Sequence, residues 1–130
     1  MKYTLEQRKE RARGLHKQGF NCSQCVAMAF DDIYDLNQDI VARVSAGFGG
    51  GVGGMRHICG AVSGMVILDG ILNYSSPSDK PMVYANVKTV AHEFEQLNGS
   101  IICSDLQKPG RKPCIELIED AIAIIDAKLR

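Results

Sequence analysis

Apolar side chains recur along this chain at intervals of three and four residues, and no segment alternates apolar and polar residues with a period of two. Such spacing places apolar side chains on one face of an α-helix. One clear run is Val83, Val87, Val90, Phe94 and Leu97. A second run is Ile115, Ile118, Ile122, Ile125 and Leu129. The pattern therefore predicts an all-α fold.

Capping residues predict where the first helices begin. Thr4 with Gln7 forms a capping-box pattern for a helix that ends near Lys17, and Asn21 with Gln24 forms the same pattern for a second helix. The charged run of the first helix is expected to face solvent. The remaining helices are predicted at about 38–46, 60–72, 83–98 and 113–129. We expect one domain, residues 1–130, built as a compact bundle of about five to six helices.

A glycine-rich run interrupts the helical pattern, with six glycines between positions 47 and 54. Glycine adopts positive φ and permits close backbone approach, so the run predicts a tight, irregular loop. The next segment carries no charge before Asp69, which predicts a buried central helix directly after the loop. Gly60 and Gly64 in that helix would let a neighbouring helix come unusually close.

Charge and hydropathy narrow the class of protein. Acidic and basic residues balance at 15 each, which gives no support for a nucleic-acid or anionic-membrane partner. The N-terminal segment is charged, and no apolar run approaches the roughly 20 residues of a membrane span. We therefore expect a cytoplasmic protein. In that reducing compartment, the five cysteines favour redox chemistry or metal binding over structural disulfides, although any single cysteine could be a core residue.

Three of the cysteines are predicted at helix N-termini, where the positive end of the helix dipole stabilises a thiolate. Cys22 would begin the second helix and Cys114 the last, while Cys59 would lie at the start of the buried helix, preceded by Arg56 and His57. Cys59 is expected to have the lowest thiol pKa and to be the nucleophile. Cys103 is predicted on a loop. His16 and His92 are expected to be ordinary helix-surface residues.

Several familiar motifs are matched only in part. Cys22 and Cys25 form a C-x-x-C pair, but the βαβ context of a thioredoxin is absent. The glycine run fits G-x-G-x-x-G, yet no strand precedes it and no Gly-Lys-Ser/Thr follows. A zinc site usually has a second close cysteine pair, which this chain lacks.

The motifs that remain are Asn21-Cys22-Ser23-Gln24, the glycine run, Cys59-Gly60-Ala61-Val62-Ser63-Gly64, and the later Cys103 and Cys114. Together they resemble the C-GCAxxG-C-C family of redox-active proteins, over nearly the whole chain. The resemblance places the four family cysteines on Cys22, Cys59, Cys103 and Cys114, and it leaves Cys25 as an extra. Relatives that are selenoproteins imply thiol or electron chemistry. Relatives joined to haem or iron–sulfur proteins imply a cluster.

Three hypotheses follow. In the leading one the protein is a thiol-dependent oxidoreductase, with Cys59 as the nucleophile and another cysteine resolving it, acting on a redox partner or a small-molecule substrate. In the second, Cys22, Cys59, Cys103 and Cys114 hold a [2Fe–2S] cluster or a metal ion for electron transfer. In the third, the cysteines are core residues of a helical interaction module. Both redox hypotheses require the four sulfurs to converge beside the glycine loop. The sequence does not decide whether the protein self-associates.

Overall fold

The structure is a computed structural model that describes residues 1–130, and it contains seven α-helices and no β-strand. The helices are α1 (Leu5–Lys17), α2 (Cys22–Met28), α3 (Gln38–Ser45), α4 (Gly60–Asn73), α5 (Lys80–Asn98), α6 (Cys103–Leu106) and α7 (Cys114–Leu129). The all-α prediction is confirmed. The additional helix is the four-residue α6, which lies in a segment expected to be irregular. None of the seven has both the length and the apolar character needed to cross a membrane.

The predicted helix caps are present. Thr4 and Gln7 each accept a hydrogen bond from the other's backbone N–H at the start of α1, and Asn21 and Gln24 do the same at the start of α2. These reciprocal bonds satisfy backbone donors that a helix start leaves without partners. The cap at Asn21 fixes Cys22 as the first residue of α2.

Helix α4 lies at the centre of the bundle, packed against α2, α5 and α7. Its contact with α2 is close because Gly64 has no side chain. A Cβ atom added there would lie 2.7 Å from the Cβ of Val26 and 3.0 Å from the carbonyl oxygen of Ser23. At Gly60 the added atom would lie 3.1 Å from the Cβ of Cys22. The two glycines therefore bring the N-terminal ends of α2 and α4 together.

The prediction that the charged residues of α1 all face solvent is wrong for Arg8. This side chain is fully buried, and it donates hydrogen bonds to Asp32, Asp126 and the carbonyl oxygen of Ala29. Burial alone would raise the pKa of the Asp32 carboxyl, but hydrogen bonds from Arg8 and two backbone N–H groups hold it at about 2. This network ties α1 to α7 and to the segment after α2.

Candidate functional site

Four of the five cysteines line one small cavity of about 130 Å³. The cavity lies where the N-terminal ends of four helices meet. Cys22, Cys103 and Cys114 are the first residues of α2, α6 and α7, and Cys59 is the N-cap of α4. Helix N-termini present unpaired N–H groups and positive potential, which favour a thiolate wherever burial does not outweigh them.

Backbone pairing brings Cys59 and Cys103 to the cavity. The N–H of Cys59 donates to the carbonyl oxygen of Ile101 at 2.8 Å, and the N–H of Cys103 donates to that of His57 at 2.6 Å. These bonds flank an isolated antiparallel bridge between Ile58 and Ile102. The segments that precede α4 and α6 therefore run side by side and deliver their cysteines to the same place.

The glycine loop packs directly against this pair of segments. Gly51 has φ of 76°, and a Cβ atom added to it would lie 2.7 Å from the Cβ of Cys103 and 2.6 Å from the backbone nitrogen of His57. Gly50, also at positive φ, lines the cavity itself. Only residues without a side chain let the loop pass this close to the cysteines.

The thiols of Cys22 and Cys114 are adjacent and differ in acidity. Hydrogen bonding from Cys22 lowers the pKa of the Cys114 thiol, and a hydrogen bond from Gln107 and the positive charges of His16 and Arg56 lower it further, against the effect of burial. Hydrogen bonding to Cys114, together with burial, raises the pKa of the Cys22 thiol. The two thiols therefore titrate as a pair, and the hydrogen bond that Gln107 Nε2 donates to the Sγ of Cys114 at 3.5 Å favours the negative charge on Cys114.

The expectation that Cys59 has the lowest thiol pKa is wrong. Burial raises the pKa of its thiol, and hydrogen bonds from the backbone N–H groups of Ala61 and Val62 offset this only in part. Cys59 is 4% exposed, as is Cys103. The helix N-terminus does act on Cys59 as predicted, but the loss of hydration is the larger effect.

Cys25 does not line the cavity. It is fully buried in the hydrophobic core, its Sγ lies 3.6 Å from the carbonyl oxygen of Phe20, and burial raises the pKa of its thiol to about 12. The two cysteines of the C-x-x-C motif therefore have different surroundings. Cys22 belongs to the cavity and Cys25 to the core.

The cavity also contains side chains that the sequence did not assign to it. His16 and Gln107 line it, whereas His57, two residues before Cys59 in the sequence, does not. Arg56 does line it, and its Nη1 lies 3.7 Å from the Sγ of Cys103. His16 lies in the last turn of α1 and Gln107 caps the end of α6, so no local motif marks either of them.

The largest cavity lies elsewhere, between α4, α5 and α7. It measures about 550 Å³, and it contains Asp69 and Lys128 but no cysteine or histidine. We assign the site to the smaller cavity because that one holds the nucleophilic side chains.

The same four cysteines are the candidate ligands of a metal ion or a [2Fe–2S] cluster. No three histidine, cysteine, aspartate or glutamate side chains stand together in an arrangement that could hold a metal ion. The four sulfurs share a cavity without forming a ligand set. We therefore derive no step through a metal ion or a [2Fe–2S] cluster.

Comparison with known proteins agrees with the cysteine pattern. The model of a family described as "Putative redox-active protein (C_GCAxxG_C_C)" matches residues 20–128, a range that includes all four cavity cysteines. A protein of Archaeoglobus fulgidus, described as uncharacterized, is 30% identical to this chain, and the match covers 96% of this chain and 95% of that protein. No solved structure matches. The chain belongs to the C_GCAxxG_C_C family.

Proposed function

We propose that this protein is a thiol-dependent oxidoreductase that exchanges a dithiol for a disulfide through Cys114 and Cys22. One observation supports the proposal: two partly exposed thiols line one cavity, and the Nε2 of Gln107 donates a 3.5 Å hydrogen bond to the Sγ of Cys114, which stabilises that sulfur as a thiolate. The thiolate is the nucleophile in exchange, and an adjacent thiol is the group that resolves the mixed disulfide.

The first step is attack by the Cys114 thiolate on one sulfur of a substrate disulfide, RS–SR′. A bond forms between the Sγ of Cys114 and the RS sulfur, the RS–SR′ bond breaks, and R′S⁻ leaves and takes a proton from water. The product is a mixed disulfide between Cys114 and RS.

In the second step Cys22 gives up its proton and its sulfur attacks the Sγ of Cys114. The Cys22–Cys114 disulfide forms and RS⁻ leaves with that proton. The protein loses two electrons, and the substrate disulfide is reduced to two thiols. Run in reverse, the same steps oxidise thiols at the expense of the protein disulfide.

Cys59 and Cys103 lie deeper in the same cavity. Because each is 4% exposed, a substrate meets Cys114 or Cys22 first. We assign Cys59 and Cys103 to a later role, in which they receive the disulfide by internal exchange. We place this chemistry in the cytoplasm, a reducing compartment in which free thiols persist.

A redox titration tests the proposal. The full chain is equilibrated under argon in glutathione buffers of stepped potential, trapped by acid and alkylation, and mapped by mass spectrometry. We expect a two-electron transition that yields a Cys22–Cys114 disulfide and is lost in Cys114→Ser, with Cys25→Ser as the unaffected control. A Cys114→Ser variant that titrates like the wild type would contradict the assignment.

A parallel preparation tests the cluster hypothesis. The chain is purified without oxygen in the presence of iron and sulfide. Thiol exchange predicts a colourless, iron-free protein. Stoichiometric iron with visible absorption that disappears in Cys59→Ser would replace the proposal with a cluster.

A further inference from the structure

We propose that the substrate of the Cys22–Cys114 pair is a small anionic disulfide, and that Arg56 selects it. This inference rests on the thiol-exchange function proposed above. It specifies the size and the charge of the disulfide that the Cys114 thiolate attacks, and it assigns the glycine loop the role of positioning Arg56.

The size follows from the cavity. Its volume of about 130 Å³ is the smallest of the five cavities, and the next smallest measures about 380 Å³. A disulfide within a protein carries backbone and neighbouring side chains that such a space does not admit. One half of a small organic disulfide fits, with its sulfur against Cys114.

The charge follows from the lining residues. No aspartate or glutamate lines the cavity, whereas His16 and Arg56 do, together with the amides of Asn21 and Gln107. Attack by a thiolate on an anionic disulfide brings negative charges together and releases a further anion. The guanidinium of Arg56, which lines the same cavity, offsets that repulsion, so the site lowers the barrier most for negatively charged substrates.

The backbone places Arg56 for this role. Its φ is 63°, a conformation that residues with side chains seldom adopt. Hydrogen bonds hold it there, since its N–H donates to the carbonyl oxygen of Gly50 and its own carbonyl oxygen accepts from the N–H of Ser104. The result is a guanidinium beside Cys103 at the cavity. Strain held by surrounding structure is characteristic of functional positions.

Arginine also suits the ligand chemistry. A guanidinium has five N–H donors in a planar fork that matches a carboxylate or sulfonate in two parallel hydrogen bonds. One contact, to the Sγ of Cys103, uses only part of this capacity. The remaining donors can bind the acidic group of a substrate whose disulfide sulfur lies at Cys114.

The test compares three disulfides of matched size and different charge: dithiodiglycolate, which is anionic, bis(2-hydroxyethyl) disulfide, which is neutral, and cystamine, which is cationic. The rate at which each oxidises the reduced full chain at pH 7 is measured by acid quench and mass mapping. Each rate is divided by the rate of the same disulfide with 2-mercaptoethanol. We expect the normalised rate to be about tenfold higher for the anion than for the cation, and to fall with added salt.

Variants assign the preference to one residue. Arg56→Gln is expected to bring the anion and cation rates within about twofold of each other, while Arg56→Lys retains most of the difference. Lys88→Gln removes the same charge from the exposed surface of α5, away from the cavity, and should behave as the wild type. A preference that survives Arg56→Gln would overturn the role of Arg56.

The wild-type rates separate two kinds of failure. If none of the three disulfides oxidises Cys22 and Cys114, the thiol-exchange function itself is wrong. If all three act at equal normalised rates, or cystamine is fastest, thiol exchange stands and the anionic substrate is wrong.

Discussion

Cys22 and Cys114 are the first residues of two different helices, and their thiols line one cavity, where their pKa values are shifted in opposite directions. Hydrogen bonding lowers the pKa of Cys114 and raises that of Cys22. The pairing of these two cysteines depends on tertiary packing. Gly60 and Gly64 let α2 lie close against α4, and α7, the last helix of the chain, brings Cys114 to the same cavity. The reactivity of Cys114 should therefore respond to changes at Cys22 and at the helix contacts that place it.

The first prediction concerns the hydrogen bond itself. Cys22→Ala removes the donor and should raise the pKa of the Cys114 thiol, so that alkylation of Cys114 by iodoacetamide at pH 6 slows by on the order of tenfold. Cys22→Ser keeps a hydroxyl donor and should slow it less. The measurement is the pH–rate profile of Cys114 labelling, followed by mass mapping. Equal profiles in Cys22→Ala and the wild type would show that Cys22 does not tune Cys114.

The second prediction concerns the contact between α2 and α4. Gly64→Ala forces a Cβ against Val26 and should destabilise the fold by about 1–3 kcal/mol. The control is Gly70→Ala in the same helix, where nothing lies within 4 Å of the added atom. It should be neutral or stabilising by up to about 1 kcal/mol. Chemical denaturation measures both, and equal free energies of unfolding for the two variants would mean that α2 does not approach α4 as described.

The third prediction separates backbone strain from lost space in the glycine loop. Gly51 and Gly53 both have positive φ, so alanine costs roughly 1–2 kcal/mol of strain at either position. Only at Gly51 does the new Cβ meet Cys103 and the backbone of His57. Gly51→Ala should therefore expose Cys103 and speed its alkylation several-fold, while Gly53→Ala lowers the melting temperature without that change. Identical Cys103 labelling in both variants would argue that the loop does not shape the cavity.

The fourth prediction is a pH dependence of stability. The Asp32 carboxyl, 1% exposed, has its pKa held at about 2, below the roughly 3.9 of an unfolded chain. A depressed carboxyl pKa stabilises the fold above the unfolded value, and this contribution, about 2 kcal/mol, is lost as the pH falls from 4 through 2.

Asp32→Asn tests this directly. The variant should lose about 3 kcal/mol at pH 7, because Arg8 stays buried with a partner missing, and its stability should fall less steeply between pH 4 and pH 2. Asp35→Asn changes the same residue type at an exposed position three residues on and should match the wild type. An unchanged acid slope in Asp32→Asn would place the titrating group elsewhere.

Short sequence patterns predicted most of the helices because residues near each end of a helix determine where it begins and ends. The capping boxes at Thr4 and Asn21 and the glycine that ends α5 at Gly99 act within a few residues. The short α6 was not predicted. It has no side-chain cap, and the bridge between Ile58 and Ile102, a contact distant in sequence, fixes the backbone before it.

The convergence of four cysteines on one cavity was predicted, but the order of their pKa values was not. Predicted helix starts pointed to Cys22, Cys59 and Cys114, since a position after a cap can be seen in the sequence, and the family resemblance added Cys103. The order of their pKa values depends on burial and on neighbours such as Gln107, which only the folded chain supplies. For the same reason Arg8, one of several charges on α1, gave no sign that it lies in the core.

We propose Cys114 as the reactive thiolate of this protein. The most direct measurement is the rate at which each of the five cysteines reacts with iodoacetamide in the reduced, folded chain at pH 6, with each site resolved by mass mapping. We expect Cys114 to react first, Cys22 to follow as Cys114 becomes blocked, and Cys25 to react only on unfolding. If Cys59 reacts fastest, or Cys114 reacts no faster than Cys25, Cys114 is not the reactive thiolate.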